Sequence, residues 1–174
     1  MSMIATAYHE AGHTAASLLL GVDVKHVSII PRLEHDGSCI AGFVSHFSRG
    51  ARSRRQELCA WPEVSSSKRR RGIETNIKIS FAGKLAEKRA IGKLAPSCSM
   101  SDDLIVAYQL FLLSKHLTDI NRTFRLLRFQ TEDLLEYGWT LIETIAARLV
   151  VSGYLTNLEL KTIYSGHFRY SSSY

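Results

Sequence analysis

The sequence of 174 residues lacks the features that would place it across a membrane or in a secretory pathway. It has no apolar run near the roughly 18 residues that a membrane-spanning helix requires. Its N-terminus also has no basic segment followed by an apolar core, because His9, Glu10 and His13 lie where a signal peptide would have that core. We therefore expect a cytoplasmic protein with no membrane span.

Cysteine is also scarce, with only Cys39, Cys59 and Cys98 at wide spacings and no CxxC pair. An odd number of cysteines in this arrangement predicts neither a disulfide framework nor a cysteine-based zinc site. We expect free thiols. A phosphate-binding GxxxxGK[ST] loop is absent as well, so the sequence does not predict that this chain uses ATP.

Charge, in contrast, is abundant and uneven. The net charge is +6, and basic residues are concentrated in "RGARSRR" (Arg49–Arg55) and "KRRRG" (Lys68–Gly72). Such runs could contact nucleic acid or an acidic partner. Because aromatic residues do not interleave with them and no nucleic-acid-binding motif is present, we interpret residues 47–72 as an exposed basic loop and expect no nucleic-acid partner.

The length and the hydrophobic content of 45% predict one globular domain, residues 1–174. Apolar residues at helical spacing predict a first helix over Thr6–Leu20. The β-branched segments Val24–Ile30 and Ile40–His46 predict two strands. The predicted fold class is α+β, mainly α-helical with a small β-sheet beside the first helix.

The rest of the chain has mostly helical periodicity. Helices are predicted over residues 73–91 and, after Ser101 at an N-cap position, over residues 102–116. The last third is also predicted to be helical, with "SGYLT" as a turn into a final helix near Asn157–Ile163 and a frayed tail over residues 166–174.

The first helix carries "AYHEAGH", residues 7–13, which contains the HExxH pattern of zinc peptidases. Positions i and i+4 share one face of a helix, so His9 and His13 can bind the same Zn²⁺ ion. Glu10 flanks this pair, where a general base can take a proton from zinc-bound water, whose pKa the metal lowers to about 7. The motif therefore predicts a metalloprotease site.

Peptidases of this kind take a third protein ligand from a later element. A carboxylate on a packed helix is favoured, because the packing can hold it rigidly, and this leaves Glu87, Asp102 and Asp103. The spacing does not choose among them. The full set of candidates also includes the histidines His26, His35 and His46.

Several segments, in order, resemble the zinc peptidase domain of the FtsH-type membrane proteases. They are "AYHEAGH", "VKHVSIIPR", "GFVS", "ISFAGKLAEKRAIG" (Ile79–Gly92), "CSMSDDLIVA" (Cys98–Ala107) and the closing "EYGWTLIETIAARLVVSGYLTNLEL" (Glu136–Leu160). The similarity extends over nearly the whole chain, so we expect an FtsH-peptidase-like fold.

The resemblance implies that Asp103 is the third zinc ligand, because it aligns with the aspartate of the family's "SNDL" motif. Asp102 replaces the family's asparagine and, being acidic, stays open as a rival ligand. Glu87 is then interpreted as a partner that orients an imidazole, or alternatively as a surface residue in a salt bridge. An extended substrate is expected to pair with the strand at Gly42, Phe43 and Val44, which predicts broad specificity.

The function expected from motif and resemblance is a zinc-dependent endopeptidase acting on peptides or unfolded proteins. FtsH-type proteins also carry a membrane anchor and an ATPase module, which we do not expect in this chain. A separate ATPase or unfoldase and a homo-oligomer are therefore candidate partners. Two alternatives stay open: a non-catalytic, zinc-containing binding or scaffold module, and a Cys98 thiolate that inhibits by approaching the zinc.

Overall fold

The structure is a computed structural model that describes residues 2–33, 39–47, 67–92, 100–113 and 117–171. These residues form a mainly helical protein with a small antiparallel sheet, which confirms the α+β class. In chain order the elements are α1 (Met3–Leu19), β1 (Val24–Ser28), β2 (Arg32–Leu33), β3 (Cys39–Ile40), β4 (Phe43–His46), α2 (Ser67–Ile91), α3 (Met100–Leu113), α4 (Leu117–Tyr137), α5 (Trp139–Ser152), β5 (Tyr154–Thr156) and α6 (Asn157–Ser171).

Helix α1 runs through the centre of the fold. The side chain of Ser2 accepts a hydrogen bond from the backbone N–H of Ala5 and so caps the helix. Small residues then let the neighbouring helix approach closely: a Cβ at Gly12 would lie 2.5 Å from the carbonyl oxygen of Ala82 and 2.7 Å from the Cβ of Ala86. Helices α1 and α2 are therefore in backbone contact, which places the α1 histidines directly against α2.

The main sheet has the strand order β4–β1–β5, with antiparallel pairing on both sides of β1. Val27 of β1 pairs with Val44 of β4 and with Leu155 of β5. Val24, Val27 and Leu155 belong to the same buried cluster as the α1 alanines. The sheet is thereby fixed on α1, with β4 at one edge.

A second buried cluster joins α2, α3 and α4. Its members include Phe81 of α2, Val106 and Leu110 of α3, and Leu127 of α4. The ring of Phe81 also meets that of Phe124 edge-on, with centroids 5.3 Å apart. This cluster docks α3 on α2, and the acidic N-terminal turn of α3 is thereby brought to the central helices.

The predicted first helix and the strand predicted at Val24–Ile30 are confirmed. The segment predicted as one strand, Ile40–His46, is divided between β3, which ends at Ile40, and β4, which begins at Phe43. Residues 67–72 were wrongly predicted as loop. Helix α2 already begins at Ser67. Lysine and arginine are good helix formers, and Arg70 forms an i,i+4 ion pair with Glu74 at 2.9 Å. The rest of the predicted loop, residues 48–66, lies outside the described residues, as do His35, Cys59 and Cys98.

The end of the chain also differs from the sequence prediction. Tyr154–Thr156, predicted as a turn, is the third strand of the main sheet, because β1 supplies its hydrogen-bonding partners. The final helix continues to Ser171 instead of ending near Ile163, so the predicted fraying does not extend over residues 166–171. Among the described helices, none is both long and apolar enough to cross a membrane.

Candidate metal centre

His9 and His13 lie one turn apart on the buried side of α1. Only 4% of His9 and 9% of His13 is exposed. Their rings meet edge-on with centroids 4.7 Å apart, and the two Nε2 atoms are 3.1 Å apart. The helical spacing of the HExxH pattern thus brings both imidazoles to one point.

Helix α2 determines which nitrogen of each ring faces that point. The Nδ1 of His13 lies 2.7 Å from the backbone carbonyl oxygen of Ile79, and the Nδ1 of His9 lies 3.1 Å from Oε2 of Glu87. Both partners accept hydrogen bonds, so each Nδ1 is the donor and each Nε2 is available as an electron-pair donor in the neutral ring. Glu87, which is 1% exposed, lies at His9 and not in a surface salt bridge.

A carboxylate from α3 completes the group. Oδ2 of Asp102 lies 3.3 Å from the Nε2 of His9 and 3.3 Å from the Nε2 of His13. Ligand atoms at about 2.0–2.1 Å from a tetrahedral zinc ion are about 3.3 Å from one another. The nearly equilateral triangle of two nitrogens and one oxygen therefore fits three ligands of one metal ion, and this group could hold such an ion.

The structure does not bring Asp103 to the imidazoles. Its carboxylate pairs with Nζ of Lys84 and its side chain is 58% exposed. Successive side chains on a helix diverge by about 100°, so only one of two adjacent aspartates can face α1. Asp102 is four residues before Val106 and eight before Leu110, which are both buried, and so it shares the inward face of α3.

Without a metal ion, the positive charge of His13 and the negative charge of Asp102 balance each other. Burial lowers the pKa of His13, but the hydrogen bond and the charge of Asp102 have a larger combined effect and raise it to about 9. Burial likewise raises the pKa of Asp102, but His13 and His9 outweigh burial and hold that pKa well below its usual range. At neutral pH His13 therefore carries a proton that a bound cation would replace.

Glu10 is enclosed beside the two imidazoles, with 6% of the residue exposed. Burial raises its pKa, although the nearby His13 and His9 oppose this effect. A Cβ at Gly42 would lie 2.7 Å from Cγ and 2.8 Å from Oε1 of Glu10, so the backbone just before β4 lies directly against this carboxyl group. A carboxyl group with a raised pKa, next to a group that could hold a cation, is suited to accept and hold a proton.

The three residues predicted to bind substrate occupy different positions. Gly42 lies against Glu10, whereas the ring of Phe43 packs against His26 with centroids 5.5 Å apart, and Val44 packs on the main buried cluster. Among the described strands, β4 pairs with β1 alone, so none of them pairs with its other edge. The other described histidine candidate, His46, contacts Ser17 at 2.9 Å.

Two parts of the site were missed in the sequence. One is the backbone carbonyl of Ile79, which orients His13. A pattern of side chains does not indicate where a backbone carbonyl will lie. The other is Gly83, where a Cβ would lie 2.4 Å from the Nε2 of His13. A glycine inside a helical pattern often marks a close approach, so "FAGK" did contain a signal for Gly83.

Comparisons of this chain with protein-family models and with curated proteins give no match. The fold and the site define an α+β protein with a buried His–His–Asp group that could hold a metal ion.

Proposed function

We propose that this chain is a zinc-dependent endopeptidase that hydrolyses peptide bonds of peptides or unfolded proteins. The observation that carries this proposal is the convergence of His9, His13 and Asp102 on one point, with the buried carboxyl group of Glu10 beside it. The sequence resemblance to FtsH-type peptidase domains supports the peptidase activity. It implies Asp103 as the third ligand, whereas the geometry of the group favours Asp102.

The donor set favours zinc. Two imidazoles and one carboxylate suit Zn²⁺, whereas calcium and magnesium prefer sites made of oxygen ligands. Three protein ligands are typical of catalytic zinc sites, because a fourth position stays open. When bound, the ion would act as a Lewis acid that makes water a stronger acid and polarises a carbonyl group.

Glu10 would transfer the protons of the reaction. The Glu10 carboxylate accepts a proton from the water whose oxygen attacks the scissile carbonyl carbon, and it delivers that proton to the amide nitrogen as the carbon–nitrogen bond breaks. Burial, which raises the pKa of Glu10, favours holding the proton between these two steps. Meanwhile Glu87 and the Ile79 carbonyl hold the two imidazoles in orientation through Nδ1.

An extended peptide is the substrate form that this site can accept. A segment that pairs with the edge of β4 that has no partner among the described strands would pass beside Gly42, whose own backbone lies against the Glu10 carboxyl group. Recognition through backbone hydrogen bonds tolerates many side chains, so we expect broad specificity. Because a folded protein seldom offers such a segment, we expect a separate unfoldase to supply it.

A second candidate function is a non-catalytic binding module that retains the metal. The observation in its favour is the position of Asp103. The resemblance to FtsH-type peptidase domains implies this residue as a zinc ligand, but its carboxylate pairs with Lys84 and lies outside the His–His–Asp group. In this case the ion would stabilise the contact between α1 and α3 and no peptide bond would be cut.

One experiment separates the two functions. The purified protein, loaded with one equivalent of zinc, is incubated with fluorescently labelled casein as an unfolded substrate, beside Glu10→Gln and the control Glu143→Gln on α5. We expect Glu10→Gln to retain zinc and to lose activity by about 10²- to 10⁴-fold, while Glu143→Gln cuts like the wild type. If the wild type holds stoichiometric zinc but cuts no faster than Glu10→Gln, the binding module is the correct function.

A further inference from the structure

Helix α4 has a solvent-facing side that mixes basic and large apolar residues. Arg122, Arg125, Leu126 and Phe129 follow one another at helical spacing and are all exposed, with Leu126 53% and Phe129 60% accessible. Exposed apolar side chains clustered on a helix face are typical of a contact with another molecule.

The charges on this face are arranged symmetrically around Phe129. Arg125 lies four residues before Phe129 and Asp133 lies four residues after it. Arg122 lies seven residues before it and Glu136 seven residues after it. Steps of four and seven residues return to the same side of a helix, so the face is basic in its first half and acidic in its second.

Such a face is complementary in charge to a second copy of itself that is rotated by 180°. We propose that a second copy of this chain docks antiparallel on α4, related by a two-fold axis near Phe129. In this arrangement Arg122 meets Glu136 of the second copy, Arg125 approaches Asp133 of the second copy, and each contact occurs twice. Two-fold interfaces of this kind, in which the same surface serves both partners, are the commonest in homo-oligomers.

The basic groups are available for this contact. In the described part of the chain neither Arg122 nor Arg125 is paired with an acidic side chain. Both line a surface cavity of about 400 Å³ together with Thr118 and Asn121, which leaves room for side chains of a partner. The Glu136 carboxylate pairs with Arg89, but its side chain is 73% exposed and can accept a second guanidinium.

The same charges argue against an anionic partner. A nucleic acid or an acidic membrane would be attracted to Arg122 and Arg125 but repelled by Asp133 and Glu136 on the same face. A second copy satisfies both halves and buries Phe129 and Leu126 at the centre, where apolar contact contributes most to such interfaces.

Sedimentation velocity over a range of protein concentrations tests the proposal. We expect a monomer–dimer equilibrium in the wild type that weakens with salt. The double variant Arg122→Glu/Arg125→Glu makes the whole face acidic, and the double variant Asp133→Arg/Glu136→Arg makes it basic. Each of them should dimerise at least about tenfold more weakly than the wild type. An equimolar mixture of the two should form a heterodimer, because every pair is then again of opposite charge.

The control double variant Arg148→Glu/Lys161→Glu lies on α5 and α6 and changes the net charge by the same amount as Arg122→Glu/Arg125→Glu. It should dimerise like the wild type. Phe129→Glu provides a second disruption that leaves Glu136 and its contact with Arg89 in place, and circular dichroism checks the folding of each variant. A wild type that stays monomeric up to about 1 mM, or acidic and basic variants that dimerise like the wild type, would overturn the proposal.

Discussion

The carboxylate of Asp102 lies 3.3 Å from the Nε2 of His9, which is 93 residues earlier in the chain. This contact joins the N-terminal turn of α3 to the centre of α1, across the packing of both helices on α2. Any cation at this point would therefore bind two elements that are far apart in sequence, and its binding free energy would contribute to folding.

Zinc affinity should depend on Asp102 and little on Asp103. We expect Asp102→Asn to weaken zinc binding by at least about 100-fold, because a charged ligand is lost. Asp103→Asn should stay within a few-fold of the wild type, because only an exposed ion pair with Lys84 is lost. Competition with a chromophoric zinc chelator measures both constants. Loss of zinc in Asp103→Asn and its retention in Asp102→Asn would assign the ligand to Asp103.

Zinc binding should release a proton, and its affinity should rise with pH. The pKa of His13 is raised to about 9 in the metal-free protein, so at neutral pH the cation must displace this proton. Below pH 9 each unit of acidification should cost up to about tenfold in zinc affinity. Titration calorimetry in buffers of different ionisation enthalpy counts the released protons. Equal heats in all of these buffers would contradict the expectation.

The metal-free protein should lose stability at alkaline pH. Because the pKa of His13 is higher in the folded state than its ordinary value of about 6.5, this group contributes stability that is fully present below pH 6.5 and is lost as the pH rises through about 9. The lowered pKa of Asp102 adds stability above about pH 4 that is lost on further acidification. Urea unfolding in the presence of a chelator should therefore show a higher midpoint at pH 6 than at pH 9.5.

His13→Asn is the control for this pH dependence. It removes the titrating group, so the difference between pH 6 and pH 9.5 should shrink. An unchanged difference in this variant would assign the effect to other groups.

Gly83→Ala should damage the site, whereas Gly72→Ala on the same helix should not. A methyl group at Gly83 would lie 2.4 Å from the Nε2 of His13, so the imidazole must move and zinc affinity should fall. At Gly72 no atom lies within 4 Å, and alanine there should stabilise the helix by about 0.5–1 kcal/mol. Thermal unfolding and zinc titration of both variants test the pair. A Gly83→Ala protein that binds zinc like the wild type would show that α2 does not restrain His13.

Local patterns predicted much of the fold. The alanine-rich periodicity of α1 and the β-branched residues of β1 correctly indicated their elements, because both signals depend on residues near in sequence. The strand Tyr154–Thr156 was not predictable in this way, since three residues contain too short a pattern and β1 supplies the pairing. The early start of α2 was missed because a basic run suits a solvated loop and a solvated helix turn equally well.

The sequence by itself determined that His9 and His13 share one helix face with Glu10 beside them, because a spacing of four residues matches the helical turn. Only the tertiary structure decided that Asp102, and not Asp103, faces those imidazoles. Helix α3 is apolar on nearly all sides from Leu104 to Leu113, so its pattern does not reveal which side is buried. Packing of Val106 and Leu110 against α2 and α4 fixes the rotation of α3, and that rotation selects the carboxylate.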